Sequence, residues 1–539
     1  MNKLGMVMLS GLVFLGSRTA LALPGDVLWD MPSPGKNATG LAFDGQQIWV
    51  ADHALDAILS VAPRGKGVVK RFKSPGYRPA GLAFDGKFLW NIDVLEAKIY
   101  CLRPEDGVVV RTIPSPVKQP QALAHDGKAL WISDNETRTL HRVDPLDGTT
   151  IREIPFPGPS VDGLTFDGTY LWVSDRVSDR LHALDLESGE VVVSLRSPGP
   201  YPTGIAWTGK ELLNVDYQSD RIFALRRDDA RFLVQEAPRD QWVLFTDEVR
   251  NFGPDPLLGV DLLLAIPQSA DSQELLSGPE FSPKPTQVQE DQWGQKVARF
   301  AFPKVPSGES ARVQMKVHVQ VKGVRYVIFP DKVKGLDQVP RSVRDRYLVD
   351  NPKYDMKNPV IQKAVAEAIG TEKNPYWIAR KIYRYVHQKM RYEMVGGWDV
   401  APKVLERGTG SCSEYSFVYI SLCRAAGLPA RYAGSLVVRR DSASFDDVFH
   451  RWVEVYLPPF GWIPVDPSRG DKPTEVERAD AFGALEHDFL ITTRGGGASN
   501  LLDWNYNYNE RYGCQGRCKV ESEPIAEWSP EEPDLARRP

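Results

Sequence analysis

The most regular hydrophobic pattern in this chain is a repeat of short alternating stretches. Five units begin at Gly40, Gly81, Ala122, Gly163 and Gly204, each 41 residues after the last, as the numbering shows. Each unit holds several stretches in which apolar and polar residues alternate, and in four units an Asp-Gly pair separates the first two. Asp-Gly favours the tight turn of a β-hairpin. Four short strands at this spacing are typical of one propeller blade.

Five such units predict a five-bladed β-propeller over residues 24–228. The fifth unit lacks a fourth strand, because the pattern changes after Arg226. The segment Val27 to Asp30, ahead of the first unit, has the alternation of the missing strand. We therefore expect it to complete the last blade and close the ring, which removes exposed strand edges. A six-bladed ring that borrows a later segment is the alternative.

Two kinds of residue recur at fixed positions in the units. The tryptophans are Trp49, Trp90, Trp131 and Trp172, with Leu213 in the fifth unit, and the aspartates are Asp52, Asp93, Asp134, Asp175 and Asp216. A ring of aspartates could bind a cation, and a ring of tryptophans could form a binding cage. The simpler interpretation is favoured for both: the aspartates accept hydrogen bonds from turn amides, and the tryptophans pack between blades.

The pattern changes again over residues 229–335. Apolar and β-branched runs alternate with Pro- and Gly-rich loops, and no helical period interrupts them. These runs predict a small, immunoglobulin-like antiparallel β-sandwich. Residues from Arg341 to Met394 have a helical period instead. Asn358-Pro359 and Asn374-Pro375 are expected helix starts, because proline is favoured in the first turn.

Candidate chemistry is concentrated between Gly408 and Pro467. Cys412 lies at the start of an apolar helical pattern, where the helix dipole favours a thiolate. His450 opens an alternating strand, and Asp466 ends the next strand. A three-residue loop pairs Leu457 with Gly461, and this register brings His450 and Asp466 to one face of the hairpin. A cysteine, a histidine and an aspartate in this order are the parts of a thiol nucleophile, its base and the group that orients the base.

The segments GSCSEYS, LCRAAGLPARY and FHRWVEVYLPPFGWIPVDPS resemble the transglutaminase-like superfamily from about residue 376 to 469. The resemblance implies an α+β, papain-like catalytic core, assigned here to residues 340–512. It further implies that Cys412 is the nucleophile, His450 the base and Asp466 the third member. Tyr392 is an expected oxyanion or substrate contact. Arg451 departs from the family, in which a small residue is common at this position, and is expected to point away from the catalytic face.

Composition limits the remaining choices. The chain of 539 residues carries a net charge of −4 with both signs mixed, which does not favour nucleic acid as a partner. Residues 1–22 combine Lys3, an apolar run and a small-residue cleavage site, which are typical of a signal peptide. The protein is therefore expected to be exported, to the periplasm or the cell exterior, without a stable membrane span. Residues 520–539 are rich in Pro and Glu and are predicted to be a disordered tail.

The five cysteines are too few to hold an exported fold of this size. Cys514 and Cys518 are close and separated by flexible residues, so a local disulfide is expected, with zinc binding as the competing hypothesis. Cys101 and Cys423 lie in apolar segments and are expected to be buried and inert. Cys412 is then left free, as a nucleophile must be.

These features together predict an exported enzyme that acts on amide bonds of proteins or peptides through an acyl-enzyme. A protease or amidase would release the acyl group to water, and a transglutaminase would release it to an amine. No cofactor or metal is expected. The propeller is expected to bind a partner or recruit the substrate. The alternative is a non-catalytic protein- or glycan-binding scaffold with a vestigial core.

Overall fold

The computed structural model describes residues 23–228, 231–394, 398–437, 443–470 and 474–535. The predicted signal peptide, residues 1–22, lies outside the described residues. In the described part of the chain, no helix is both long enough and apolar enough to cross a bilayer.

The first two hundred described residues form five antiparallel sheets of four strands each. Their strands are, in chain order, β1 (Val27–Pro32), β2 (Ala38–Phe43), β3 (Ile48–Asp52), β4 (Ala57–Val61), β5 (Val68–Lys73), β6 (Pro79–Phe84), β7 (Leu89–Asp93), β8 (Lys98–Leu102), β9 (Val109–Pro114), β10 (Pro120–His125), β11 (Leu130–Asp134), β12 (Thr139–Val143), β13 (Thr150–Pro155), β14 (Gly163–Phe166), β15 (Tyr170–Asp175), β16 (Arg180–Asp185), β17 (Val191–Arg196), β18 (Pro202–Trp207), β19 (Glu211–Asp216) and β20 (Arg221–Arg226). The predicted five-bladed propeller is confirmed.

The first strand closes the ring. β1 pairs antiparallel with β20 and completes the last blade, as the sequence predicts. The innermost strands of the first and last blades also meet, and Thr203 Oγ1 donates to the carbonyl of Ala38 at 2.8 Å. Glycine is required where the innermost strands of neighbouring blades pass each other. A Cβ on Gly40 of β2 would lie 2.2 Å from the carbonyl oxygen of Ala80 in β6 of the next blade. This close approach explains why glycine opens most of the repeats.

The Asp-Gly turn and the tryptophan of each repeat form one hydrogen-bonded unit. In the first blade, Asp44 Oδ1 accepts from the turn amide of Gln47, while Oδ2 accepts from the indole N–H of Trp49 at 2.8 Å. The next three blades repeat this pairing between Asp85 and Trp90, Asp126 and Trp131, and Asp167 and Trp172. The fifth unit changes both residues together, to Thr208 and Leu213, because a leucine has no N–H to satisfy.

The second set of recurring aspartates binds turn amides. Asp52, for example, is fully buried and accepts from the backbone N–H groups of Asn37 and Leu55. Asp93 and Asp216 make the equivalent contacts in their blades. These hydrogen bonds support the interpretation of the aspartates as turn residues.

The rest of the described chain contains the following elements. The strands are β21 (Leu233–Asn251), β22 (Leu257–Ala265), β23 (Gln273–Leu275), β24 (Glu280–Ser282), β25 (Gln287–Glu290), β26 (Lys296–Val305), β27 (Ser310–Tyr326), β28 (Arg391–Tyr392), β29 (Thr409–Gly410), β30 (Ala430–Val437), β31 (Ser444–Asp446), β32 (His450–Leu457), β33 (Gly461–Val465), β34 (Ala484–Leu485), β35 (Phe489–Gly495), β36 (Tyr508–Cys514) and β37 (Val520–Ser529). The helices are α1 (Arg341–Tyr347), α2 (Pro359–Ile369), α3 (Pro375–Lys389), α4 (Ala401–Arg407), α5 (Cys412–Ala425) and α6 (Glu475–Asp480), with 3-10 turns at Pro330–Lys332 and Leu336–Gln338.

The middle of the chain forms an antiparallel β-sandwich, but the end of the chain completes it. One sheet has the order β23-β27-β21-β37-β31, with β24 and β34 also paired to β27, and the other has the order β25-β26-β22-β36. The prediction of a disordered tail over residues 520–539 is therefore wrong for the described part. β37 pairs with β21 over ten residues, and Trp528 is buried between the sheets. Residues 536–539 lie outside the described residues.

The boundary predicted for the catalytic core also changes. The core was expected to extend to residue 512, but residues 508–512 belong to β36, which pairs with β22 of the sandwich. The core itself places helices α2, α3 and α5 beside a sheet of order β33-β32-β30-β35. Both expected helix starts are present, because the side chains of Asn358 and Asn374 accept from the amides of Val360 and Tyr376.

The propeller and the core are packed together through the fourth blade. Glu190, beside β17, accepts from Arg380 Nε at 3.2 Å and from Arg384 Nη1 at 2.6 Å, both on helix α3. Val476 of helix α6 packs into the apolar core of this part of the propeller, and its amide donates to the Pro157 carbonyl. The propeller is therefore part of the support of the core and not a module on a free linker.

We expect Glu190→Gln to weaken this contact. Arg380 is only 3% exposed and Glu190 7% exposed, so the substitution leaves a buried guanidinium without its carboxylate. Breaking a buried ion pair from one side costs about 3 kcal/mol, measured here as the loss in free energy of unfolding in denaturant. Glu187→Gln, three residues away and exposed, is the matched control and should change stability by less than about 0.5 kcal/mol. Equal effects of the two substitutions would contradict the prediction.

Candidate active site

Cys412 is the first residue of helix α5. Ser411 precedes it, and the Ser411 amide donates to Glu414 Oε2 at 3.1 Å. The side chain of Glu414 therefore caps the start of the helix. Glu414 is fully buried and is held by Arg407 Nη2 at 2.8 Å. The first backbone N–H groups of a helix have no intrahelical partner and favour negative charge. The cysteine sulfur and any oxyanion beside it are therefore placed where negative charge is stabilised.

His450 is the first residue of β32, and Asp466 directly follows β33. The two strands form the predicted register, with Leu457 opposite Gly461 and Val453 opposite Val465. This register brings His450 Nε2 to 2.7 Å from Asp466 Oδ2. Because Nε2 is taken by the carboxylate, Nδ1 is the nitrogen that remains for Cys412.

Asp466 is buried and well supplied with donors. Its Oδ1 accepts from the amide of Ser468 at 3.0 Å and from the Ser468 hydroxyl at 2.7 Å, while Oδ2 faces His450. Arg469 Nε lies 3.8 Å from the same Oδ2. These contacts hold the carboxylate in one orientation, which in turn holds the imidazole ring.

The three groups shift each other's pKa values in the directions that an ion pair requires. Burial raises the pKa of Cys412, but the hydrogen bond to His450 and the charge of its ring, with the backbone N–H and charge of Arg451, outweigh burial and lower it overall. Burial disfavours the imidazolium, but the charge of Asp466 and the hydrogen bonds to Asp466 and Cys412 raise the pKa of His450 to about 10. Burial raises the pKa of Asp466, but the charge of His450 and its hydrogen bond lower this pKa overall. The arrangement favours a thiolate beside an imidazolium.

Tyr392 lies next to this pair. β28 and β29 run parallel, and their pairing of Tyr392 with Gly410 places the tyrosine just ahead of Cys412. Burial raises the pKa of the Tyr392 hydroxyl, the charges of Cys412 and Asp466 raise it further, and the Cys412 amide opposes them. The side chain is 44% exposed. It therefore lies beside the candidate nucleophile with part of its surface open to solvent.

Part of this chain matches a family of known proteins. Residues 363–467 match the family model of the transglutaminase-like superfamily, and this stretch contains all three side chains. The chain carries a transglutaminase-like core. No curated protein sequence matches the chain.

Several solved structures are similar at low identity. A candidate cysteine protease from Cytophaga hutchinsonii is 14% identical with a TM-score of 0.39, and the match covers 55% of this chain and 99% of that one. Glutaminyl cyclase from Myxococcus xanthus is 16% identical with a TM-score of 0.34, covering 37% and 95%. Virginiamycin B lyase from Staphylococcus aureus is 17% identical with a TM-score of 0.26, covering 36% and 68%. Likeness at this level carries no functional argument.

The other cysteines of the chain lie away from the transglutaminase-like site. Burial raises the pKa of Cys101 to about 11, and it also raises the pKa of Cys423, which is fully buried in helix α5. Cys514 and Cys518 are joined as a disulfide, with Cα atoms 6.1 Å apart. Within the described ranges, no cluster of His, Cys, Asp and Glu side chains could hold a metal ion.

Some residues of the transglutaminase-like site were not expected from the sequence. Ser468 stabilises Asp466, and the only sequence signal for it is its position two residues after the aspartate. The ring of Trp398 lies 6.3 Å from Phe417 and 6.4 Å from Tyr506, so this side chain packs in the core. Arg451 is fully buried, and its guanidinium lies 5.2 Å from the ring of Phe417 on helix α5.

Proposed function

We propose that this protein is an exported, thiol-dependent enzyme that acts on amide bonds of proteins or peptides through an acyl-enzyme. The observation that carries the proposal is the arrangement of Cys412, at the start of a buried helix, with the paired side chains of His450 and Asp466. The 2.7 Å contact between His450 and Asp466 and the lowered pKa of the thiol support it. Export rests on the signal-peptide pattern of residues 1–22.

Each step follows from the position of these side chains. The Cys412 thiolate attacks the amide carbonyl carbon, a C–S bond forms, and the carbonyl oxygen becomes an oxyanion beside the Cys412 amide and Tyr392. The C–N bond then breaks, and the His450 imidazolium gives its proton to the leaving amine. A thioester remains on Cys412. Water or a second amine loses a proton to His450 and attacks the thioester, and the thiolate is released.

We propose hydrolysis as the main outcome, because no feature of the described residues marks a dedicated amine-donor site. The propeller is proposed as a binding module for the substrate or another partner. Loops on one face of the ring support this role, since they expose Tyr77 at 75%, Leu95 at 65% and Val177 at 64%.

The first test is the rate at which iodoacetamide alkylates Cys412 as a function of pH. We expect an apparent pKa well below the free-thiol value of about 8.5. In His450→Ala we expect the apparent pKa of Cys412 to rise above the free-thiol value. Burial raises this pKa, and the imidazole that opposes the effect of burial is then missing. Alkylation near neutral pH should fall about tenfold or more. Mass spectrometry of the Cys412 peptide measures both.

His125→Ala, in the propeller, is the control and should leave the profile unchanged. An unactivated thiol that does not respond to His450→Ala would contradict the proposal. It would favour the scaffold hypothesis, in which the propeller is the functional part.

A further inference from the structure

A cavity of about 470 Å³ lies where the catalytic core meets the β-sandwich. Phe232 and Tyr326 line it from the sandwich, and Phe460 and Trp462 line it from the β32–β33 hairpin of the core. None of the three candidate catalytic side chains is among the described residues that line it. Ligand sites have volumes of about 300–1,000 Å³ and combine aromatic walls with a few polar groups. The size and the lining of this cavity are therefore those of a ligand site.

The aromatic side chains of the cavity are held by their neighbours. The ring of Phe232 packs edge-on against that of Phe460, with centroids 4.8 Å apart, and lies 6.2 Å from that of Tyr326. The guanidinium carbon of Arg431 lies 4.1 Å from the centre of the Trp462 ring. A ligand that packs on rings fixed in this way does not have to order them first.

Four charged side chains also line the cavity, and their charges balance. Glu454 is 6% exposed and accepts from Arg431 Nε at 2.7 Å and from Arg494 Nε at 2.9 Å. Asp271 accepts from the Tyr326 hydroxyl at 3.0 Å. Two arginines and two carboxylates give no net charge, so these groups favour a neutral ligand over an ionic one.

Two of these charged groups keep hydrogen-bonding capacity for a ligand. Arg494 is 26% exposed in its side chain, and within the described part of the chain its two Nη atoms have no acceptor. Asp271 is exposed, and its Oδ1 accepts from no described donor, because the Tyr326 hydroxyl uses Oδ2. Hydroxyl groups both donate and accept, so they pair with a guanidinium and with a carboxylate.

The cavity lies on the hairpin that carries two of the candidate catalytic residues. Glu454 lies four residues after His450 on β32, and side chains at this separation face the same side of a strand. Trp462 lies four residues before Asp466 on the paired strand. Four residues span about 13 Å, at about 3.3 Å per residue. A ligand anchored in the cavity is therefore within a few sugar or peptide units of the candidate active site.

We propose that this cavity binds a neutral oligosaccharide, and that the substrate of the Cys412 site is the peptide part of a glycopeptide. The inference rests on the proposed function and deepens it, because it names the substrate class. A sugar ring presents an apolar C–H face, which packs on aromatic side chains, and hydroxyls at its rim, which pair with Arg494 and Asp271. A purely apolar ligand would leave these two polar groups unpaired.

Binding is measured first, by isothermal titration calorimetry of the purified protein with the β-1,4-linked tetramers of N-acetylglucosamine and of glucose. Phe460→Ala removes an aromatic wall, and Asp271→Ala removes an exposed acceptor. Phe252→Ala, an exposed phenylalanine outside the cavity, is the matched control. We expect at least one tetramer to bind wild type, and each cavity variant to weaken its affinity about fivefold or more, with the control unchanged. Thermal unfolding checks that the variants are folded, and Asp271→Ala decides if Phe460→Ala is not.

Three results of the calorimetry would overturn the inference. The first is no binding of either tetramer at millimolar concentration, and the second is binding that the cavity variants leave unchanged. The third is binding of a neutral, unglycosylated peptide in place of the sugars, lost in the same variants, which would identify the occupant as peptide. None of these results bears on the alkylation profile of Cys412, so the proposed function is judged separately.

Turnover then tests the glycopeptide itself. Two peptide amides of one sequence are compared, one of which carries the N-acetylglucosamine tetramer. In wild type we expect a KM about fivefold or more lower for the glycopeptide with kcat unchanged, and in Phe460→Ala we expect equal KM values. Equal KM values in wild type would overturn the glycopeptide assignment. A protein that binds the tetramer but cleaves neither peptide would refute the proposed function, and the glycopeptide with it, and would leave the binding site standing.

Discussion

Cys412→Ala is expected to abolish turnover of peptide amides, with a loss of about four to six orders of magnitude in kcat. The proposed reaction requires a C–S bond, and no other described thiol can replace Cys412. Burial raises the pKa of the Cys101 and Cys423 thiols, and Cys514 and Cys518 are in a disulfide. The measurement follows release of an amine from a peptide amide and incorporation of a labelled amine into the same peptide. Both activities should vanish together, because both pass through the same thioester.

Cys423→Ala is the matched control for this substitution. It lies in the same helix, also buried, and has no role in the proposed chemistry. It should keep its activity and lose only about 1 kcal/mol of stability from the small cavity. Residual turnover in Cys412→Ala at more than a few per cent of wild type would contradict the assignment of the nucleophile.

Removal of residues 520–539 is expected to prevent stable folding of the sandwich. β37 pairs with β21 on one side and with β31 on the other, so its loss leaves two strand edges unpaired. It also removes Trp528, and the loss of one buried tryptophan alone costs about 3–5 kcal/mol. The sum is comparable with the total stability of a domain, about 5–15 kcal/mol. We expect insoluble protein or a strongly lowered Tm.

The same truncation should also reduce activity, because β31 ends only a few residues before His450 and depends on β37 for its pairing. The matched control removes residues 536–539 and keeps every described strand. It should match the full-length chain in Tm and in turnover. A chain truncated after Lys519 that melts like the full-length protein would show that the tail is dispensable, as its composition alone suggests.

The composition of this tail misled the sequence prediction for a physical reason. β37 has one face to solvent, and only Ala526 and Trp528 are buried, so acidic and polar residues dominate the segment. Pro524 also argued against a strand. It is tolerated because β31 pairs only with residues 526–528, which leaves that part of β37 beside a single neighbour.

The sequence by itself determined the parts of this protein that depend on local rules. The repeat predicted the blades, because a 41-residue unit with Asp-Gly turns forms its sheet from neighbouring strands. The same is true of the closing strand β1, whose alternation matched the missing blade position. The hairpin register that joins His450 to Asp466 also followed from a short loop and a period of two.

Tertiary structure alone decided the contacts between distant segments. The pairing of β37 with β21 joins residues far apart in the chain, and the choice depends on which sheet edge is left open. Glu190 and Arg380 form an ion pair that also joins distant segments. Arg451 likewise packs against the ring of Tyr506, which lies far from it in the sequence. Local hydrophobic patterns show which residues are buried, but the partner of a buried charge is set by packing between elements. The pairing of His450 with Asp466 therefore follows from the local sequence, whereas the position of Cys412 beside them follows from the fold.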